Sequence, residues 1–353
     1  MLFYGNVPLI KNIFTLLFSI KFLFPTSVKW VSCSDYLESI YIGTNSGILC
    51  ISKNDWQDRQ ALSHDTILVV GSDVNIKEIY SGEVEEFNLA IRGTLAIWTD
   101  EGKIVIFDLH REKIECTVQP AREEERYTEA YVDPFGKTAL SLVEIDKEEE
   151  SLLLYEWRLL DIHKNEWLVL DSVKTTLPKT FLSWLPNGEE ILFHNEYDGT
   201  TSIVKKDGSL KSVLNLVPSP DMVIESVSFS PDGELLALCF KDEEDQGGIF
   251  IYSRNSNDLK KLADFKQLKM NPNNITWSPQ GDWILFRDTY PSDPLMRLIS
   301  SNGEHIFGLF PVPLDYLEEP VGKWLSAGKH IVWHSKNIVN ITKIAEIPSV
   351  SQD

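Results

Sequence analysis

One pattern constrains this chain more than any other: a turn of the form Ser-Pro-Asp-Gly between two short apolar strands, returning at near-constant spacing. Val227-Ser-Phe-Ser-Pro-Asp-Gly233 runs into Leu235-Leu-Ala-Leu238, and Ile275-Thr-Trp-Ser-Pro-Gln-Gly281 runs into Trp283-Ile-Leu-Phe286. Looser copies lead to Gly93, Gly136, Gly188 and Gly328, so that the six glycines lie 43, 52, 45, 48 and 47 residues apart. A degenerate copy spans Trp30 to Glu38 ahead of Ile40-Tyr-Ile42, with Glu38 in the place of the glycine.

The residue types follow from the geometry of a tight reversal. Proline presets φ near −65°, Asp or Asn tolerates the bridge region that follows, and glycine supplies the positive φ that returns the chain to the sheet. Four residues before the glycine stands a bulky apolar side chain: Leu89, Val132, Trp184, Phe229, Trp277 or Trp324. A polar residue often precedes it, which is the period-two alternation of a strand with one core face.

Further turns at Asn45-Ser-Gly47 and Asp100-Glu-Gly102, between second and third strands, and at Asp207-Gly208 and Asn302-Gly303, between third and fourth, make each unit a four-stranded antiparallel sheet. Units of roughly 40–50 residues with four strands are the signature of a β-propeller. The expected fold is all-β: a single closed propeller over residues 1–353, of seven four-stranded blades with six or eight as alternatives. Unit limits fall near residues 75, 121, 179, 223, 272 and 320. The last unit ends in a polar tail, 348–353, with no outer strand of its own. Residues 14–24 are apolar at every even position and are expected to pair there as the closing strand. The competing reading is a signal peptide or anchor. Lys21 costs roughly 2.5–3.5 kcal/mol at a membrane centre, and the uncharged run around Ile13–Ile20 is far short of the ~20 residues a helix needs to span.

The blocks Ser230-Pro-Asp-Gly233-Glu-Leu-Leu-Ala-Leu238 and Ser278-Pro-Gln-Gly281-Asp-Trp-Ile-Leu-Phe286, with Asp207-Gly208 and Asn302-Gly303, resemble the TolB-like type of WD-related propeller repeat. Phe107-Asp108 resembles the end of the third WD strand, with Phe where Trp is usual. The resemblance covers nearly the whole chain and is one of scaffold. It implies a propeller, commonly with a protein-binding role, and transfers no catalytic residue.

The formal net charge is −20, from 33 Lys and Arg against 53 Asp and Glu. With no Lys/Arg-rich run, that balance disfavours nucleic acid and anionic membrane surfaces as partners. Cys33, Cys50, Cys116 and Cys239 have no CxxC spacing and read as small buried hydrophobes. There is no G-x-S-x-G, H-E-x-x-H, P-loop, G-x-G-x-x-G or EF-hand loop, so no catalytic residue, metal or cofactor is assigned. His194 and His334 share a repeat position, but in units that are not adjacent. The sequons at Asn274 and Asn340 fall within expected strands and carry no weight.

The connections after the second strand are more informative. Units three to six carry Glu144-Ile-Asp-Lys-Glu-Glu-Glu150, Glu196-Tyr-Asp198, Lys241-Asp-Glu-Glu-Asp245, and Asp288 with Asp293. The reading is a non-catalytic interaction propeller whose rim face binds a protein or peptide partner of basic character through Glu148, Glu149, Asp198, Glu243, Glu244 and Asp288. Solvated loops are ordinarily polar, which is the competing account. The alternative class is a propeller enzyme, lactonase or glycosidase-like, with its site at the central channel mouth; the polar set Ser183, Ser228 and Thr276 argues for a passive channel. The expected compartment is the cytoplasm, or export if residues 1–25 are a signal.

Overall fold

The computed structural model describes residues 28–34, 39–44, 47–53, 56–62, 66–70, 76–81, 86–89, 94–98, 102–108, 111, 113–146, 153–164, 166–174, 180–195, 199–214, 216, 222–242, 247–264, 272–288, 295–311, 323–325, 330–335 and 338–343. Among them every regular element is a strand, and no helix is long and apolar enough to cross a membrane.

The strands begin with β1 (Val28–Ser34), β2 (Ser39–Thr44), β3 (Gly47–Lys53), β4 (Trp56–Leu62), β5 (Thr66–Val70) and β6 (Ile76–Ser81). Sheet one is β1-β2-β5-β6. Sheet two holds β7 (Glu86–Leu89), β8 (Thr94–Trp98), β9 (Ile104–Asp108) and β10 (Lys113–Val118). Sheet three holds β11 (Glu125–Val132), β12 (Thr138–Ile145), β13 (Leu154–Asp161) and β14 (Glu166–Lys174). Sheet four holds β15 (Thr180–Trp184), β16 (Glu190–Asn195), β17 (Thr200–Lys205) and β18 (Leu210–Leu214). Sheet five holds β19 (Val223–Phe229), β20 (Leu235–Lys241), β21 (Gly247–Ser253) and β22 (Asp258–Asp264). Sheet six holds β23 (Pro272–Trp277), β24 (Trp283–Asp288), β25 (Leu295–Ser300) and β26 (Ile306–Pro311). The last sheet joins β27 (Lys323–Leu325), β28 (His330–Ser335) and β29 (Ile338–Lys343) to β3 and β4, giving five strands.

Middle strands are buried on both faces. In β20 the run Leu236–Phe240 is buried throughout, as is all of β24. Outer strands such as β10 and β18 alternate or face solvent. That gradient requires each sheet to be covered on both sides by its neighbours, which is why the middle strands read as continuous apolar runs. The core is divided accordingly. Ile104 and Ile106 of sheet two pack with Ala130, Val132 and Leu160 of sheet three. Leu192 and Ile203 of sheet four pack with Leu236 and Phe240 of sheet five, and Ala237 and Ile249 with Trp277 and Phe286 of sheet six. Each fully buried large side chain contributes roughly 1.5–3 kcal/mol. Strand β1 contacts β7, β27 and β28.

The turn glycines do two things. Gly136, Gly188, Gly233 and Gly281 all have positive φ. Three of them also face the preceding turn: a Cβ on Gly188 would lie 2.6 Å from Phe135 Cδ2, while Gly233 and Gly281 sit over Pro186 and Pro231. The repeated turn is therefore a sheet-to-sheet contact as well as a hairpin.

The structure departs from the sequence reading in three places. Residues 14–24 lie outside the described residues, and the place beside β29 is taken by β3, paired parallel from Ile338↔Cys50 to Ile341↔Lys53. The turn at Asn45–Gly47 does not join two strands of one sheet: β2 pairs with β5, and β3 crosses to the last sheet. The unit limit near 75 falls inside sheet one, because β5 pairs with β6. The common cause is that alternation specifies a strand's buried face and leaves open which edge it joins.

Candidate functional site

Of the six carboxylates assigned to the acidic face, Glu148, Glu149, Asp198, Glu243 and Glu244 lie outside the described residues. Asp288 is corrected: it is fully buried at the end of β24, where it accepts a 2.7 Å bond from Arg297 Nε of the adjacent strand. It is a structural ion pair and does not face a partner. The connections that carry the other five join second to third strands of sheets three, four and five.

Other charged side chains in the interior are held in pairs of the same kind. Asp133, fully buried in the turn after β11, accepts backbone N–H groups of Phe135 and Lys137, the Thr138 hydroxyl, and Lys206 Nζ at 2.6 Å. Burial pushes its carboxyl up, but these bonds outweigh that and hold it below the ordinary carboxylate range. Arg158 binds both Glu125, at 2.9 Å, and Glu156, at 2.8 Å. Glu190 takes Lys211 and, from the next sheet, Arg254 Nη2 at 3.0 Å.

The bonds of Glu190 follow from a repeated irregularity. Each outer strand of sheets three to six carries one extra residue in its register with the third strand: Leu170, Lys211, Leu262 and Leu309. Three of these are leucines packed against core clusters. In sheet four the residue is lysine, matched by buried Glu190.

Among the described residues no three His, Cys, Asp or Glu side chains are grouped as a metal site needs. His194 is buried, with Nδ1 3.0 Å from Thr201 Oγ1. Of the polar set read as channel lining, the Ser228 hydroxyl accepts the Trp277 backbone N–H of the next sheet at 3.3 Å, and the Ser183 hydroxyl donates to the Trp184 carbonyl of its own strand at 2.8 Å. Glu129 on β11 has its carboxyl pushed up by burial, opposed by the Tyr131 hydroxyl that donates to it at 3.1 Å.

Sequence reasoning missed a feature of the outer perimeter. A cavity of about 210 Å³ lies between sheets three and four, walled by Trp157, Leu170, Phe193, Val204 and Leu210, with Asp171 the one charged side chain on its wall among the described residues. Beside it Leu210 is 62% exposed, and Leu168 and Val169 of β14 are exposed as well. The signal was present as Trp167-Leu-Val-Leu170, which breaks the alternation seen on other outer strands.

No known family pattern matches the chain, and no curated protein matches it in sequence. Solved structures do match in shape. An oligogalacturonate lyase in complex with manganese superposes with a TM-score of 0.68 at 10% identity, over 91% of both chains. A β-propeller domain from Myceliophteria thermophila gives 0.59 at 11% identity, over 90% of this chain and 96% of that one. A chain of the mitotic checkpoint complex gives 0.59 at 11% identity, over 90% of each. At such identities the likeness is one of fold alone, and the fold it shows is a β-propeller scaffold.

Proposed function

We propose that this chain is a non-catalytic interaction propeller that binds a basic protein or peptide on the face formed by the second-to-third strand connections of sheets three to five. The observation that carries this reading is the shared strand order of those sheets, in which each second strand hands over to the third at the equivalent edge, combined with the carboxylates 148, 149, 198, 243 and 244 in the connecting segments. A face of one sign attracts cationic partners and speeds their association. The reading assumes a closed ring of seven blades, with β1 lying between β7 and β27. It also assumes a cytoplasmic location, which suits the free thiols of Cys116 and Cys239; N-terminal sequencing of the mature protein to a start beyond residue 25 would replace it with export.

The test begins with proteins captured from the native host on the full chain, each then purified and measured against wild type and the Glu243→Lys/Glu244→Lys variant. Association slows in the variant and weakens as salt rises. A partner whose affinity is indifferent to both removes this face.

A second reading, a lactonase or glycosidase-like enzyme at the channel mouth, is favoured by one observation, the desolvated carboxyl of Glu129 on a first strand. Hydrolysis of a lactone or glycoside that is abolished by Glu129→Gln in a folded protein would establish it.

A further inference from the structure

A second cavity, of about 380 Å³, lies between sheets four and five, and nothing about it depends on the acidic face. Its wall is formed by residues 211–214 of β18, by residues 232–234 in the first turn of sheet five, and by Tyr252, Arg254 and Asn257 at the second. Small-molecule sites occupy roughly 300–1,000 Å³. Unlike the cavity between sheets three and four, this one is lined by several charges, and they stand where the repeat is otherwise uncharged. The extra outer-strand residue is leucine in sheets three, five and six and Lys211 here. Two residues past the turn glycine those sheets carry Thr138, Leu235 and Trp283, where sheet four has Glu190. Holding a carboxylate at 8% exposure between two long cationic side chains costs desolvation, and apolar residues in such a place are often as stable or more so. The sister sheets show that uncharged solution. Departures of one unit from a shared local rule concentrate at functional sites.

The wall presents both signs of charge. Glu190 accepts from Lys211 Nζ and, at 3.0 Å, from Arg254 Nη2, so one carboxylate serves two cations. Arg254 Nη1 donates to the Gly233 carbonyl at 2.8 Å. An ammonium has three N–H groups and a guanidinium five, so donors remain on both side chains, which are 39% and 22% exposed and line the cavity. They suit a carboxylate. On the same wall stand the exposed carboxylates of Asp232 and Glu234. Asp232 uses one oxygen, Oδ1, to accept the Ser230 hydroxyl and the Glu234 N–H. Tyr252 donates its hydroxyl proton to Asn257 Oδ1 at 2.8 Å, which leaves the phenol oxygen an acceptor. These groups suit an ammonium. A bare anion would meet Asp232 and Glu234, and a bare cation would meet Lys211 and Arg254. Between the two lie the apolar side chains of Val213 and Leu214. We infer that this cavity binds a small zwitterion of the free α-amino acid class, with its carboxylate on Lys211 and Arg254, its ammonium against Asp232 and Glu234, and an aliphatic side chain along Val213 and Leu214.

The experiment screens the full chain by thermal shift against each proteinogenic α-amino acid at about 10 mM, where mass action raises the melting temperature for any ligand that binds more tightly than that. The best of them is then measured by isothermal titration calorimetry. An aliphatic amino acid such as leucine, valine or methionine binds, and its N-acetyl and amide derivatives, each keeping one charge, bind about tenfold more weakly. Two variants borrow residues from the chain's own repeats. Lys211→Leu installs the residue of the sister sheets. Asp232→Asn installs the residue that caps the equivalent turn of sheet four, where Asn187 Oδ1 accepts the Glu189 N–H at 3.0 Å. Each weakens the amino acid by roughly three- to tenfold while the circular dichroism of the folded protein is unchanged; if Lys211→Leu does not fold, Asp232→Asn carries the test. The inference is overturned if no amino acid raises the melting temperature, or if the N-acetyl or amide derivative binds as tightly as the parent. It is equally overturned if acetate or inorganic phosphate alone binds as well, which reduces the site to its cations, or if folded Asp232→Asn binds as wild type does.

Discussion

The indole Nε1 of Trp277 donates to the backbone carbonyl of Ser228 at 2.8 Å, joining the first strand of sheet six to that of sheet five. The same bond recurs from Trp184 to the Tyr131 carbonyl at 3.3 Å and from Trp324 to the Thr276 carbonyl at 3.4 Å. In each case the tryptophan stands four residues before a turn glycine, and the acceptor five residues before the glycine of the preceding unit. Sheet five has Phe229 at that position and makes no such bond by its side chain. Trp277→Phe keeps most of the apolar contact and removes the donor to the half-buried Ser228 carbonyl. The expected loss of stability is about 1–2 kcal/mol, read as a lower urea midpoint with an unchanged denaturant slope.

The pairing of β3 with β29 ties the first quarter of the chain to the last sheet. Neighbouring strands lie roughly 4.8 Å apart, inside the ~4.4–6.8 Å range of Cα separations that a disulfide accepts. Since Ile338 and Cys50 are partners in the register, Ile338→Cys should cross-link to native Cys50 under mild oxidation. A band of altered mobility on a non-reducing gel reads this out, and it disappears when Cys50→Ser is added.

Acid should unfold the protein partly through Asp133. Its folded-state pKa is lowered by Lys206, Thr138 and Lys137 against the opposing effect of burial. The stability it contributes is therefore present above the unfolded value of ~3.9 and lost as pH falls below that value through the folded pKa. Asp133→Asn removes one partner of a buried pair, at a cost of about 3–5 kcal/mol near neutrality. Its Tm changes less with pH than that of wild type over the acid range, which thermal unfolding between pH 3 and pH 7 measures.

Gly188 combines φ of +66° with a Cβ position 2.6 Å from the Phe135 ring. Gly188→Ala meets both backbone strain and a clash with the neighbouring turn, and is expected to cost about 2–3 kcal/mol. Gly199 has φ of +68° and, among the described residues, nothing within 4 Å of its Cβ position. Gly199→Ala should cost roughly 1 kcal/mol, the backbone share alone. Chemical denaturation of the two variants separates the contributions.

Cys239 is fully buried, and burial drives its thiol well above the ordinary range, with Glu225 adding to the shift and Lys241 opposing it. Because the thiolate is the reactive form, Cys239 should resist alkylation in the folded protein and label only on unfolding. Peptide mapping after iodoacetamide, with and without denaturant, follows it.

The propeller repeat was readable from the sequence because its determinants are local. A positive-φ glycine closing the first turn, and a bulky side chain four residues before it, act within a few residues of one another, as they do in sheets three to six. The continuous apolar run of β20 likewise announces a strand covered on both faces. What the sequence left open were relations between units. The alternation of Gly47–Lys53 is the same whether that strand pairs with β2 or with β29, so only the assembled last sheet decided its neighbour. Asp288 reads as one more loop carboxylate until Arg297, on the strand beside it, draws it into the interior, since burial of a charge depends on a partner that pairing alone supplies. The perimeter cavity is of the same kind: Leu170, Phe193 and Leu210 belong to strands of different sheets, and the space they enclose exists only once sheet four is laid against sheet three.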